Sequence, residues 1–309
     1  NILTIESNTE DANLIASEML SFEFEKKEAN KHPAPWQPTL SKSEYISRIE
    51  QILAHIQRGD CYEMNFCTEF TANATIENPI NYFQELCKIS PNPFSAFYKV
   101  RDAYAFCASP ERYIQRTGNK IISQPIKGTA KRSLVDAAED EKIKTALVQN
   151  PKERSENVMI VDLVRNDLSK IAMEGSVKVR ELMGVYSFPH VHHLISTIEV
   201  EVEERMHWTD ILKASFPMGS MTGAPKKRVM ELTEHYEPSP RGLFSGTIGY
   251  ITPEGDFDFN VVIRTVFYRA DKKQLSCKVG SGITIHSNPE NEYEECETKI
   301  EAIRNIPVS

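Results

Sequence analysis

The chain has 309 residues, near two domains at roughly 150 residues each, although one large domain of this size is ordinary. Hydrophobic residues make up 40% and charged residues 26%, which excludes a disordered chain and fits a soluble globular protein with a full core. The 36 basic and 44 acidic side chains leave a net charge of −8, so no nucleic acid is expected as a main ligand, because phosphate binding needs a basic surface. An anionic substrate would need a local group of cations.

The chain opens N-I-L-T-I-E-S-N-T-E, with neither a basic region nor an apolar core, so no signal peptide and a cytoplasmic location are expected. No apolar run reaches the roughly 18 residues that a membrane helix needs, so no membrane contact is expected. Residues 1–40 are polar and end in Pro33, Pro35 and Pro38, which reads as a short helix and then a loose connector. Ser41 or Ser43 caps a helix running to about Arg58, with Tyr45, Ile49, Ile52, Leu53 and Ile56 on one face. Cys61 to Tyr113 is mostly strand, with a helix near 79–89 and a hairpin over 97–107 that turns at Arg101-Asp102. Residues 136–150 and 151–172 read as helices, and 176–203 alternates like strand. Short helices follow at Thr209–Ser215 and Pro225–His235. Gly242 to Gly282 is a run of hairpins, and a last helix spans about 289–304.

Strands come in blocks rather than alternating with helices, which predicts an antiparallel α+β fold and not a Rossmann fold. There is no G-x-G-x-x-G or phosphate-binding loop. Cys61, Cys67, Cys87, Cys107, Cys277 and Cys296 form no C-x-x-C pair and read as reduced core thiols.

Two helices each present a carboxylate pair. Glu153 and Glu156 are spaced i, i+3, just before the apolar stretch Val158 to Val161. Glu292, Glu295 and Lys299 are spaced i, i+3, i+7, again on one face. Either set is a solvated or ion-paired surface, or the two converge on a hard cation. Mg²⁺ suits the second case, because it takes few carboxylates and keeps water and substrate oxygens.

Several strings occur in a fixed order: S-P-E-R at 109–112, P-I-K-G-T at 125–129, E-N-V-M-I-V-D-L-V-R-N-D at 156–167 and V-H-H-L-I-S-T-I at 191–198. M-T-G-A-P-K at 221–226, R-G-L-F-S-G at 241–246, I-R-T at 263–265, G-S-G-I from 280 and E-Y-E-E to 295 follow. Over about 42–305 this resembles the chorismate-utilising enzymes, which include anthranilate, aminodeoxychorismate, isochorismate and salicylate synthases. The resemblance implies a fold of two large, mostly antiparallel sheets packed together with helices outside. It also implies a short N-terminal remnant at 1–40, a chorismate-binding catalytic domain at 41–309, and Mg²⁺ with chorismate in a cleft. Glu156 and Glu295 match the Mg²⁺ carboxylates, with Glu153 and Glu292 beside them. Glu111 matches the general acid and His193 the active-site histidine. Arg264 and Lys299 match residues that grip substrate carboxylates. Thr129, Thr222, Gly223, Gly280 and Gly282 complete the expected substrate site, with Thr222 and Gly223 leading through Pro225 into a helix N-terminus.

Lys127 decides between members. Anthranilate synthases show P-I-A-G-T, whereas P-I-K-G-T resembles the aminodeoxychorismate branch. Placing an amine on ring carbon 4 takes a temporary nucleophile on ring carbon 2, and a neutral Lys amine can be that group. Burial or nearby cations are expected to lower the pKa of Lys127 toward neutrality. Glu63 stands where water-using members carry a Lys base and ammonia-using members usually carry Gln, and it is given no role. The competing enzymatic reading is anthranilate synthase component I, and the non-enzymatic one an inactive chorismate-binding subunit. The resemblance further implies a glutamine amidotransferase partner that delivers ammonia. Lys226 and Lys227 read as helix surface charges, and His190 and His192 as strand or turn residues.

Overall fold

The structure, a computed structural model, describes residues 11–21 and 32–308. In chain order the elements are α1 (Ala12–Ser21), β1 (His32–Pro33), β2 (Gln37–Pro38), α2 (Lys42–Gln57), β3 (Glu63–Asn73) and α3 (Pro79–Ile89). Next come β4 (Phe94–Val100), β5 (Ala103–Ser109), β6 (Arg112–Thr117), β7 (Lys120–Gln124) and β8 (Ile126–Lys131). Helices α4 (Ala137–Gln149) and α5 (Pro151–Ser169) lead to β9 (Lys178–Ser187), β10 (Val191–Glu201) and α6 (Trp208–Ser215). A 3₁₀ turn at Gly219–Met221 precedes β11 (Gly223–Ala224) and α7 (Lys226–Tyr236). The chain continues through β12 (Gly249–Ile251), β13 (Phe257–Asn260), β14 (Thr265–Arg269), β15 (Gln274–Thr284), α8 (Pro289–Arg304) and β16 (Pro307–Val308).

Local chemistry explains where the helices begin. Ser41 and Glu44 form a reciprocal cap: the Ser41 hydroxyl accepts from the Glu44 N–H, and Glu44 Oε2 accepts from the Ser41 N–H at 2.8 Å. Asn78, Asp136, Asn150 and Asn288 cap α3, α4, α5 and α8 in the same sense, and proline follows the cap in three of these. On α2, Tyr45, Ile49, Ile52 and Ile56 are buried, the face that the sequence spacing predicts.

The described strands form two seven-stranded sheets and one small pair, all antiparallel in their pairing. The first sheet runs β12-β13-β6-β7-β10-β8, with β9 on the other side of β10. The second runs β11-β3-β15-β14-β5-β4, with β2 also on β3. Its spine is an eleven-residue ladder from Gln274 opposite Asn73 to Thr284 opposite Glu63. Side chains alternate along β3. Met64, Phe66 and Phe70 face a core shared with α2, α3, α7 and α8. Cys67 instead joins a second core built from β6, β7, β10, α5 and α6. Glu63 and Asn65 share the Cys67 face, so they point toward the first sheet.

The α+β architecture agrees with the expectation. The connector does not. Ala34, Trp36 and Leu40 are buried in the first core, β1 pairs with β16, and β2 pairs with β3. Pro33 and Pro38 themselves lie in these short strands, and the apolar residues between them have a core to enter. Residues 1–10 and 22–31 of that N-terminal stretch lie outside those described.

Replacing Ser41 by Ala removes one half of the cap on α2, and a loss of about 1 kcal/mol is expected. Urea unfolding should show a lower midpoint with an unchanged slope.

Candidate active site

Lys127 enters from β8 in the first sheet, and Glu63 from β3 in the second. Their side chains meet at 2.6 Å, Nζ donating to Oε1, with Glu63 only 1% exposed. Gly282 makes this possible. A Cβ there would stand 2.8 Å from Lys127 Nζ and 3.1 Å from Glu63 Oε1, so any larger residue would occupy the space of the pair. Burial pulls the Lys127 ammonium down, but the charges of Glu63, Glu156 and Glu111 outweigh it and hold the pKa above the ordinary lysine value. The expected lowering is therefore corrected: Lys127 is surrounded by acids, not cations, and is charged before any substrate arrives.

Glu111 sits between β5 and β6 and is 4% exposed. Burial pushes its pKa up to about 7; a Ser220 hydroxyl, the Ile126 backbone and Lys127 pull only partly against this. Its neighbour Arg112 is not its partner, since that guanidinium makes two 2.9 Å bonds to Asp258. Glu111 thus takes up its proton near neutrality, well above the ordinary carboxylate range.

His193, on β10, is buried and pushed down to about 4 by burial and by the charge of Arg264, so its ring is neutral. Its Nδ1 bonds the Thr129 hydroxyl at 2.9 Å, and its Nε2 is buried without a partner. Arg264 is part-buried at a left-handed backbone position, φ 50°. Among the described residues no side chain pairs with its guanidinium, and burial lowers its pKa. A buried cation without an anion is costly unless something else supplies the charge.

Helices α5 and α8 bring the two carboxylate pairs together. Lys152 lies between them, 3.8 Å from Glu156 Oε1 and 3.7 Å from Glu292 Oε1. Glu156 Oε1 and Glu292 Oε2 are buried with no hydrogen-bond partner. Burial, with Glu63 and Glu153 nearby, pushes Glu156 up to about 7 despite Lys127 and Lys152. Glu153 is also raised, chiefly by burial. Glu295 differs: it is half exposed, and Lys299 at 2.6 Å holds it below the usual carboxylate range despite its partial burial. Lys299 also donates to the Gly280 carbonyl at 2.6 Å, so its ammonium is already engaged by the protein. Glu292, rather than Glu295, is the deep residue of α8 facing Glu156.

Thr222, Gly223 and Gly280 lie beside β3, the strand that carries Glu63. The Thr222 hydroxyl donates to the carbonyls of Met218 and Gly219, within its own turn. Gly223 is on β11 at φ +143°, where a Cβ would stand 2.1 Å from the Glu63 carbonyl oxygen. Both therefore brace β3 instead of opening α7, and Pro225 is the residue that caps that helix. Gly280 lies inside β15, opposite Cys67. Lys226 is not a surface charge. It ion-pairs with buried Asp167 and donates to the carbonyls of Ser215 and Pro217. Lys227 is exposed. His192 is buried between Asp140, at 2.8 Å, and Ser187, at 2.9 Å. All six cysteines are unpaired, and all but Cys87 are buried.

Glu63, Lys152 and Asn157 were not assigned from the sequence. The Asn157 amide donates to the Lys127 carbonyl at 3.3 Å and accepts from the Ser196 hydroxyl at 2.6 Å, tying α5 to β8 and β10. The one sequence signal was its place beside Glu156, on the buried side of an amphipathic helix.

A profile of the family described as chorismate binding enzyme matches residues 4–305. The chain is 42% identical over 268 residues to aminodeoxychorismate synthase component 1 of Salmonella typhimurium, covering 87% of this chain and 58% of the relative. The Escherichia coli protein of the same name is 39% identical over 293 residues, covering 95% and 64%. Thus the chain spans about three fifths of the length of these relatives. The crystal structure of anthranilate synthase component I from Streptococcus pneumoniae superposes with a TM-score of 0.85 at 29% identity, covering 95% of this chain and 65% of that one. With the family profile spanning nearly all of the two-sheet fold and its buried acid, lysine and histidine cluster, the chain belongs to the chorismate-binding enzymes.

Proposed function

We propose that the chain is the chorismate-aminating component of an aminodeoxychorismate synthase, which converts chorismate and ammonia to 4-amino-4-deoxychorismate. The observation that carries this reading is Lys127, an amine almost wholly buried in the site, which also holds a carboxyl raised to about 7, a neutral imidazole and an unpaired guanidinium. The bacterial relatives named above support the same branch.

In this reading Arg264 holds a substrate carboxylate, a job its planar fork suits and its lack of a protein partner leaves open. Lys127 attacks ring carbon 2, both ring double bonds shift by one position, and the carbon 4 hydroxyl leaves. Hydroxide is a poor leaving group, so Glu111 gives it a proton and water departs. Ammonia then attacks carbon 4, both double bonds shift back, and the amine of Lys127 is expelled from carbon 2. The new ammonium returns a proton to Glu111. His193, held by Thr129, presents a neutral unpartnered nitrogen to the same region. A glutamine amidotransferase subunit is the proposed source of ammonia, in keeping with the component 1 name of the relatives.

Magnesium is the proposed cofactor. The fit rests on the two buried, unpartnered oxygens of Glu156 and Glu292, and on the Lys152 ammonium lying between their carboxylates. Among the described residues no three carboxylate, histidine or cysteine side chains are grouped to hold a metal unaided. Remaining ligands would come from water and substrate, which Mg²⁺ accepts, with Glu153 and Glu295 flanking. When bound, the ion neutralises carboxylate charge on the substrate.

Lys127→Ala should lose amination at carbon 4 when chorismate, Mg²⁺ and an ammonium salt are supplied. Mass spectrometry of the product gives the position of the nitrogen. Near-native amination at carbon 4 would refute covalent catalysis by Lys127, and anthranilate from the wild type would place the chain in the anthranilate branch, the branch of the superposed Streptococcus structure.

Glu111→Gln should slow single-turnover loss of the hydroxyl by roughly 10²–10⁴-fold. Because its raised pKa keeps the acid form below about 7, wild-type kcat/KM should fall as pH rises through that value. The variant should lack this alkaline limb.

Glu156→Gln and Glu292→Gln should each raise the Mg²⁺ concentration for half-maximal activity by about tenfold or more. Unchanged Mg²⁺ dependence would remove that residue from the metal site.

A further inference from the structure

We infer that Asp140 is a positioning residue: it clamps the turn between β9 and β10 to the head of α4, and that turn holds the His193 ring in place; this rests on His193 being a residue of the site. Asp140 stands in the first turn of α4 and is 7% exposed. Four donors converge on its carboxylate. Arg132 gives Nε at 3.2 Å and one terminal nitrogen at 3.0 Å to Oδ2. The Ser133 N–H at 3.1 Å and His192 Nε2 at 2.8 Å both reach Oδ1. Arg132 foremost, with His192, outweighs burial and holds the pKa down to about 2, so the carboxylate keeps its charge and its donors.

The same donors reach the turn. Arg132 spends its other terminal nitrogen on the Phe188 carbonyl at 3.0 Å, and its backbone N–H on the His190 carbonyl at 3.0 Å. His192 holds the Ser187 hydroxyl on its second ring nitrogen at 2.9 Å. Ser187, Phe188 and His190 are thereby tied to Arg132 and His192, and both of these end on Asp140. Phe188 carries the clamp into the site. Its ring meets the His193 ring in a T-shaped contact, 5.1 Å between centroids. A ring held by one hydrogen bond can pivot about it, and the Thr129 bond to Nδ1 is the one that His193 has. Phe188, packed against that ring, opposes the turn.

The strand ladder alone gives less help here. The pairing of β8 with β10 shifts register between His193 and Ile195, so the sheet is irregular where the ring is anchored. Side chains alternate along β10, which sends His192 toward Asp140 and α4 while the adjacent His193 faces the site. An Asn at position 140 would keep the shape of the carboxylate. Whichever way its amide turned, the NH₂ would face two donors, Arg132 Nε and its terminal nitrogen or Ser133 and His192. The turn would then lose one of its two anchors, and Phe188 its fixed place against His193.

The test is a double-mutant cycle of wild type, Asp140→Asn, His193→Ala and the double variant, with chorismate, Mg²⁺ and an ammonium salt. Turnover is followed as total chorismate consumed, so the result stands whichever ring carbon takes the nitrogen. Asp140→Asn should lower kcat/KM by about tenfold or more, the cost of a site group held slightly out of place. In the His193→Ala background the same change should cost less than about twofold, because the group that it positions is already gone. An equal loss in both backgrounds overturns the inference and leaves Asp140 a structural tie, and so does a loss under about twofold in the wild-type background. Native turnover by His193→Ala removes His193 from the reaction, and this inference with it. Should Asp140→Asn fail to fold by circular dichroism, Phe188→Ala takes its place in the cycle. Its loss should likewise appear only where His193 is present, and an equal loss in both backgrounds overturns the inference.

Discussion

The buried contact between Lys127 and Glu63 is the constraint around which the molecule is arranged. One partner stands on each large sheet, so the pair exists only when the two sheets are packed. Removing two charges from water is expensive, and only close geometry offsets that cost. The fold supplies that geometry through neighbours with no chemistry of their own. Gly282 leaves the space, Gly223 lets β11 lie against β3, and Asn157 holds the backbone of Lys127 to α5.

Around this pair the charges are sorted. The acids Glu153, Glu156 and Glu292 gather where α5 and α8 meet, with Lys152 among them. Arg264 and the neutral His193 stand together, the guanidinium without a protein anion. An anionic ligand in a net acidic chain needs a local cation, and Arg264 is one that no described side chain pairs. Cations that the protein does use, Lys226 with Asp167 and Arg112 with Asp258, are structural ties.

Some readings from sequence failed for one reason. Lys226 and the 32–40 segment both look exposed by composition, yet one reaches a buried carboxylate and the other carries Trp36 into a core. Composition reports what a residue prefers on average; it does not report which partner the fold brings near. Lys127 is the sharpest case. Burial alone would lower its pKa, and the sign reverses because acids from β3, α5 and the β5–β6 junction converge on it. Glu63 lies 64 positions away, and no spacing rule links the two.

What the sequence determined by itself was local and periodic. The helices near 79–89, 136–150 and 151–172 and the start of α2 at Ser41 or Ser43 were legible because a cap or a periodic face lies within a few residues of its helix. The Arg101-Asp102 hairpin turn and the i, i+3 carboxylate pairs were legible for the same reason, and the ordered motifs carried the family. The tertiary structure alone decided which carboxylate faces which cation, which glycine makes room for a pair, and which way a buried pKa moves. Those are properties of distance between sheets and helices, and chain spacing carries no information on such distances until the layers have packed.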